Sequence, residues 1–324
     1  MNLARRVLVS LAALSCAGIA PAAHAQAYPT KSVRVIVPVA PGGGTDFLAR
    51  LLSQELIERM GQMFIVDNRA GAGGSIGGQA VATAAPDGYT IMMAYTASHG
   101  INPALSRLPY DPVKSFTQVS LVATATNMLV VHPSVAVKSV QDLIALAKSK
   151  PGQLRYASAG NGTAPHMSGE LFNMMAGTHM VHVPYKGNGP ALVDVLGGHV
   201  ELTFASLPAS LPQGRSGKLR MLAVTSPKRS SIVPELPTVA ESGLPGFNTD
   251  QWYGIVGPSA LPEAVTVKLL KEVLSSLKDK EFIDKVHAQG FDLVGSTPAQ
   301  FRTHIQNEVE KWKGVVKKGN IRAD

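Results

Sequence analysis

The stretch "VPVAPGGGTDFLARLL" (residues 37–52) passes from an apolar, β-branched run through three consecutive glycines into a run with helical periodicity. Upstream, "VRVIVPV" has the composition of a buried strand. Downstream, Phe47, Leu48, Leu51, Leu52, Leu56, Ile57 and Met60 recur on one face of a helix spanning 47–60. A strand that feeds a helix through bare backbone is a building unit of α/β sheets. Thr45 or Gly44 is the expected N-cap, with Asp46 in the first turn where the helix dipole favours negative charge. Gly42, Gly43 and Gly44 leave N–H groups open in front of the helix. That suits an ordinary tight turn or the binding of a small anion.

The same rhythm continues in both directions. "MFIVDN", "GYTIMMAY", "QVSLVA" and "MLVVH" read as strands, and "SVQDLIALAKSK" as a helix. After Pro151 the alternation repeats through "LRYAS", a helix near 166–175, "MVHVPY", "PALVDVLGG", "VELTFAS" and "LRMLAVTS". Two or three amphipathic helices follow Pro262. No fixed-period repeat or low-complexity linker divides the chain. At 324 residues it suits two domains. Strands near 123–131 and 247–257 are the expected crossings between them. Two crossings place the amino- and carboxy-terminal parts in one lobe (26–126 plus 248–324) and the middle (127–247) in the other. A ligand then sits in the cleft.

Glycine-rich junctions recur at "ASAGNGTAPH" (157–166), "PYKGNGPAL" (184–192) and "FASLPAS" (204–210). In open α/β sheets such junctions gather at the carboxyl ends of strands, where ligands bind. Lys186 is the one cation in these turns, and Arg69 precedes a further glycine loop. A phosphate normally meets a lysine or arginine clamp; a carboxylate held by N–H groups, hydroxyls and water fits a cation-poor set better. Trp252 and Tyr253, at the second crossing, read as core packing or as an aromatic cover for a ligand.

The first residues, "MNLARRVLVSLAALSCAGIAPAAHAQ", carry a basic pair, an apolar stretch and Ala23-His24-Ala25, the pattern of a secretory signal peptide (1–25) cleaved after Ala25. The apolar stretch is too short to span a bilayer. Cys16, the sole cysteine, leaves with the leader, and Ala13 fits poorly with lipidation at that cysteine. Losing Arg5 and Arg6 and no acid takes the net charge from +8 to +6. This excess is spread along the chain, which argues against nucleic acid.

Enzyme signatures are weak. "GGSIG" matches G-x-S-x-G at Ser75, giving an exported serine hydrolase as the rival reading, yet no strand runs directly into it. The same loop lacks the strand and acidic residue of a dinucleotide fingerprint. His179 and His182 are spaced to opposite faces of a strand, and no other histidine has ligand spacing, so neither a metal nor a cofactor is expected.

Taken in order, "PGGGTDFLAR", "DNRAGAGGSIGGQAVATAAPDGYT", "INPAL", "YASAGNGTAPHMSGELF", "VHVPYKGNGPALVDVLGGHVEL" and "GKLRMLAVTSPKRS…PELPTVAESGLPGF" resemble the Bug (TctC) family, extracytoplasmic solute-binding receptors of tripartite tricarboxylate transporters. The likeness covers about residues 28–321. It implies a two-lobed periplasmic-binding-protein fold, type II-like, with two mixed, mostly parallel sheets joined by two crossing strands. It also implies a periplasmic, non-enzymatic monomer that closes over a carboxylate (a dicarboxylate, tricarboxylate, amino acid or aromatic acid) and serves membrane transporter subunits. By position, the resemblance puts Gly42, Gly43, Gly44, Thr45 and Asp46 on the first ligand turn. Ser158, Gly160, Asn161, Gly162 and Thr163 fall on the facing turn, and Ser206 in the distal pocket. Ser98 and Trp252 complete the candidate set. Two departures bear on the ligand: Ala205 replaces an acidic residue common in relatives, and "YTASHG" replaces a "GTHA"-like run. Asp46, beside a carboxylate site, is expected to cap N–H groups or orient water, since two ionised acids repel.

Overall fold

The 37–52 junction folds as strand, glycine turn and helix: β1 (Val33–Val37) leads through the glycines into α1 (Gly44–Met60). The structure is a computed structural model describing residues 28–185, 187–319 and 321. The expected leader with Cys16, and Lys186, lie outside the described residues. The N-cap is Gly43, in extended conformation, rather than Thr45 or Gly44. No side chain caps the helix, because Asp46 turns back to the Gly42 N–H instead (3.0 Å). Leu48, Leu52 and Leu56 are buried, and Phe47, Leu51, Ile57 and Met60 pack against the same core.

Two sheets form. The first contains β1, β2 (Phe64–Asn68), β3 (Thr90–Tyr95), β4 (Phe116–Ala125), β10 (Gln251–Pro258) and β11 (Phe291–Leu293), in the order β11-β4-β10-β3-β1-β2. The second contains β5 (Asn127–Val131), β6 (Arg155–Ser158), β7 (Val181–Pro184), β8 (Leu202–Ser206) and β9 (Arg220–Val224), in the order β7-β6-β8-β5-β9. β1, β2 and β3 pair in parallel, as do β6, β7 and β8. β10 is antiparallel to both β3 and β4, and β5 to both β8 and β9. Most strands therefore run one way while the ladders are mixed, because β10 and β5 arrive from the opposite lobe.

Helices cover the sheets. α2 (Ser75–Ala82), α8 (Glu263–Ser276) and α9 (Lys280–Ala288) belong to the first, with the short α3 (Asn102–Leu105) entered through a π-helical turn, Ala97–Ile101. α4 (Val140–Ser149), α5 (Ala164–Ala176), α6 (Asn188–Leu196) and α7 (Leu207–Arg215) belong to the second.

The last helix, α10 (Pro298–Gly319), adds a further contact between the two cores beside the two expected crossings. Phe301, Ile305 and Val309 pack with Met92, Trp252 and Val256 of the first sheet. Trp312 and Val315 join Leu143, Phe172 and Phe204 of the second. Twenty-two residues at 1.5 Å per residue extend roughly 33 Å, enough to reach both cores. The helix is thus a third link. Among the described residues no helix is long and apolar enough to cross a membrane.

Candidate functional site

β4 and β5 are separated by Thr126 alone, so this residue marks where the chain leaves one sheet and enters the other. On the first side, Ala125 pairs with Gln251, and Tyr253 pairs with Tyr95 at the carboxyl end of β3. On the second side, Asn127 pairs with Ser206 at the carboxyl end of β8. The parallel registers of β1 with β3 and of β6 with β8 bring the turns after β1 and β6 to the same crossing. The glycine turns thus lie at the carboxyl ends of two facing sheets, where α/β proteins bind ligands.

The crossing itself is cross-linked. Thr126 Oγ1 accepts from the N–H groups of Thr225 (3.2 Å) and Ser226 (3.1 Å), and Thr225 Oγ1 accepts from the Asn127 N–H (3.0 Å). Beside it, Asp250 is partly exposed as a residue, but its Oδ1 is sealed and has no hydrogen-bond partner. Burial pushes its carboxyl up to about 7, assisted by Asp292 and Glu308 and opposed by Thr126 and Lys311. A carboxyl with a raised folded-state pKa destabilises the fold progressively as pH climbs from its ordinary value through 7. Asp250→Asn is therefore expected to melt with the wild type near pH 4 and above it at pH 8, by the equivalent of a few kcal/mol at most. Thermal melts across that range check this; equal melting temperatures at both pH values would refute it.

In the first turn Asp46 is buried, and both of its oxygens are occupied. Oδ2 accepts from the Gly42 N–H (3.0 Å) and Arg50 Nε (3.0 Å), and Oδ1 accepts from Asn68 Nδ2 (2.8 Å). Asn68 also donates to the Val39 carbonyl (3.0 Å). Burial alone would raise the Asp46 pKa, but the bonds from Arg50, Gly42 and Asn68 outweigh it and hold the carboxyl below its ordinary range. Asp46 is thus the pin of the glycine turn, whose Gly42 has the left-handed φ of +91°. Gly44 sits at a close approach: a Cβ there would lie 3.0 Å from the Phe291 ring and 3.6 Å from the Tyr253 hydroxyl. The first helical bond runs from Phe47 N–H to the Gly43 carbonyl (2.9 Å). The N–H groups of Gly44, Thr45 and Asp46 precede it and remain as donors. The Thr45 hydroxyl makes no hydrogen bond among the described residues.

The facing turn is also self-supported. Ser158 Oγ lies 2.6 Å from His182 Nε2 and accepts from the Gly160 N–H (3.0 Å). Thr163 Oγ1 donates to the Gly160 carbonyl (2.6 Å), and the Gly162 N–H donates to His166 Nδ1 (3.0 Å). His166 stacks on His182 at 3.9 Å. His182 is therefore a support of the turn, while His179 falls outside β7, and the described residues contain no cluster able to hold a metal. Asn161 and Gly162 share a cavity of about 610 Å3 with Gly73, Ser75, Asn102 and Arg107, so the second lobe's turn faces the first lobe's glycine loop. The Ser206 hydroxyl makes no hydrogen bond among the described residues.

Three candidates take other roles. Ser98 is fully buried and its hydroxyl is spent on Tyr95 O (3.1 Å) and His99 Nδ1 (2.9 Å). His99 is itself buried, which lowers its pKa to about 3 and keeps it neutral. Trp252 faces away from the glycine turn: its indole N–H donates to Glu308 of α10 (3.2 Å), and its ring meets Phe301 edge-on. Its neighbours Gln251 and Tyr253, joined through Tyr253 Oη to Gln251 Oε1 (3.3 Å), take the opposite face. Strand alternation in "DQWYGIVG" carried that signal. Ser75 donates to the Ala72 carbonyl (2.8 Å) at the start of α2, and no histidine contacts it among the described residues, so the hydrolase reading has no support.

A profile described as "Tripartite tricarboxylate transporter family receptor" matches residues 48–321. The chain belongs to this receptor family. Protein BugT of Bordetella pertussis is 38% identical to this receptor over 320 residues, covering 98% of each chain. An R. palustris protein solved with adipate is 38% identical with a TM-score of 0.79, covering 91% of this chain and 99% of its own. MatC of Rhodopseudomonas palustris, solved with bound malate, is 31% identical with a TM-score of 0.75, covering 89% and 100%. A structure described as a periplasmic transporter is 42% identical with a TM-score of 0.79, covering 92% and 100%. The receptor is thus a two-lobed solute-binding protein of the periplasmic type.

Proposed function

We propose that this receptor is exported by cleavage after Ala25 and, as a monomer, captures a small carboxylate without transforming it. The lobes, 26–126 with 248–324 and 127–247, close over the ligand, and the closed state serves membrane transporter subunits. The observation that carries the reading is the donor set: free N–H groups at the start of α1, the Thr45 and Ser206 hydroxyls, and the Gly160–Thr163 turn. Beside the first glycine turns Arg50 is engaged with Asp46 and Arg69 with Asp67, while Arg107, on the cavity shared by Asn161 and Gly162, has no carboxylate partner among the described residues. Neutral donors of this kind suit a carboxylate better than a phosphate. Gly42 to Asp46 receive one end of the ligand, and Ser158 to Thr163 with Ser206 shape the other; Ser98 and Trp252 support the site from behind. Adipate and malate in two family structures favour the carboxylate class.

Closure follows from the ligand's preference for the shut state. A thermal-shift panel of dicarboxylates, tricarboxylates, amino acids and aromatic acids tests this. A ligand at 100 times its Kd stabilises by about 2.7 kcal/mol, a rise of roughly 4 °C. Ser75→Ala is expected to keep the shift, and neither form to hydrolyse esters. A panel without any shift, or esterase activity abolished by Ser75→Ala, would overturn the proposal.

A further inference from the structure

Outside the cleft, a groove of about 920 Å3 runs between the segment 103–115 and the outer face of α10. Arg107 and Lys114 stand on one wall, Arg302 and Lys313 on the other, and all four are exposed. Lys313 pairs with Glu310 (2.8 Å), whereas Arg107, Lys114 and Arg302 have no carboxylate partner among the described residues. The other acid in the groove, Asp111, is committed to the N–H groups of Val113 (2.8 Å) and Lys114 (2.7 Å). Leu108, Val113 and Val309 supply an apolar floor, and three prolines stiffen the 103–115 wall.

We infer that this groove docks an acidic, extended segment of a partner protein. Charge complementarity decides the occupant: cations on both walls of a concave channel can flank a carboxylate-bearing chain along its length. A flat anionic bilayer reaches only the rims of such a channel, and the apolar floor matches the side chains of a peptide rather than lipid headgroups. The stiff wall lowers the ordering cost of docking. Arg107 and the adjoining 106–109 strip line this groove and also the interlobe cavity that holds Asn161 and Gly162. The docked segment thus rests on a wall shared with the ligand cleft. This part of the inference builds on the receptor reading; the charge argument does not.

The test is fluorescence anisotropy of a labelled oligoglutamate peptide with the full mature chain. Wild type is expected to bind it at low salt and to lose affinity as salt rises. Combined Arg107→Glu, Lys114→Glu and Arg302→Glu should weaken binding at least about tenfold. A charge-matched control, Lys148→Glu with Lys150→Glu and Lys218→Glu at exposed positions elsewhere, should bind like the wild type. Equal weakening by both triples reduces the effect to net charge and overturns the proposal. So does binding to vesicles of phosphatidylglycerol and phosphatidylethanolamine without binding to the peptide. The carboxylate thermal shift, read on the wild type, separates failure of this site from failure of the receptor reading.

Discussion

Replacing Asp46 by alanine is expected to weaken carboxylate binding by about two orders of magnitude while the protein stays folded. The carboxylate holds the Gly42 N–H, Arg50 and Asn68 together. Bonds to a buried charge contribute about 1.5–3 kcal/mol each, so without them the ligand must order the glycine turn itself. A loss of about 2.7 kcal/mol corresponds to about a hundredfold in Kd. Asp46→Asn keeps the shape and an acceptor but loses the Arg50 ion pair, and a smaller loss is expected. Titration calorimetry with a hit from the thermal-shift panel distinguishes the cases. Tighter binding by Asp46→Asn would mean that the carboxylate opposes the ligand, contrary to its role as a pin. Because its folded pKa is depressed, the stability Asp46 supplies is present above the ordinary carboxylate value. It is lost as pH falls through the depressed one, so the turn persists in mild acid.

The largest loss of stability is expected from Gly254→Ala. Gly254 lies in β10 between Ala94 and Leu121, at the centre of the first sheet. An added Cβ would run into the Phe301 ring of α10 and stand 2.7 Å from the Ser120 carbonyl oxygen. The ring can turn aside, but the carbonyl belongs to the neighbouring strand and cannot. Overpacking against a fixed backbone atom costs about 3 kcal/mol, a drop of roughly 5 °C in Tm. Gly314→Ala on α10, where an added Cβ meets nothing within 4 Å, should be neutral or slightly stabilising. Calorimetric melts of the two variants compare them directly, and equal melting temperatures would refute the packing account.

Legibility in the sequence followed locality. The strand, glycine turn and helix at 37–52 were readable because glycine runs and apolar periodicity act over a few residues. Asp46 was readable as a group with a task but not as the pin, since Asn68 comes from another strand. Trp252 was open to two readings until the covered face of β10 was known, and that face is set by α10, some fifty residues later. Ser98 looked available because "YTASHG" does not announce a π-helical turn that encloses its hydroxyl. β11, three residues long, is too brief to leave a pattern. The span of α10 was hidden for a different reason: amphipathicity reports that a helix has a buried side, not that two separate cores share it.

That sharing limits how the lobes can move. Two neighbouring segments, Thr126 and the stretch 249–251 that pairs beside it, act as a ribbon, free to twist as well as bend. α10 anchors a second line of attachment, where the Glu308 carboxylate accepts from the indoles of Trp252 on one side and Trp312 (3.0 Å) on the other. With attachment along two lines instead of one, rotation about the ribbon's long axis is resisted, and bending is the remaining soft coordinate. Closure along that coordinate brings the rims of the cleft together by one path.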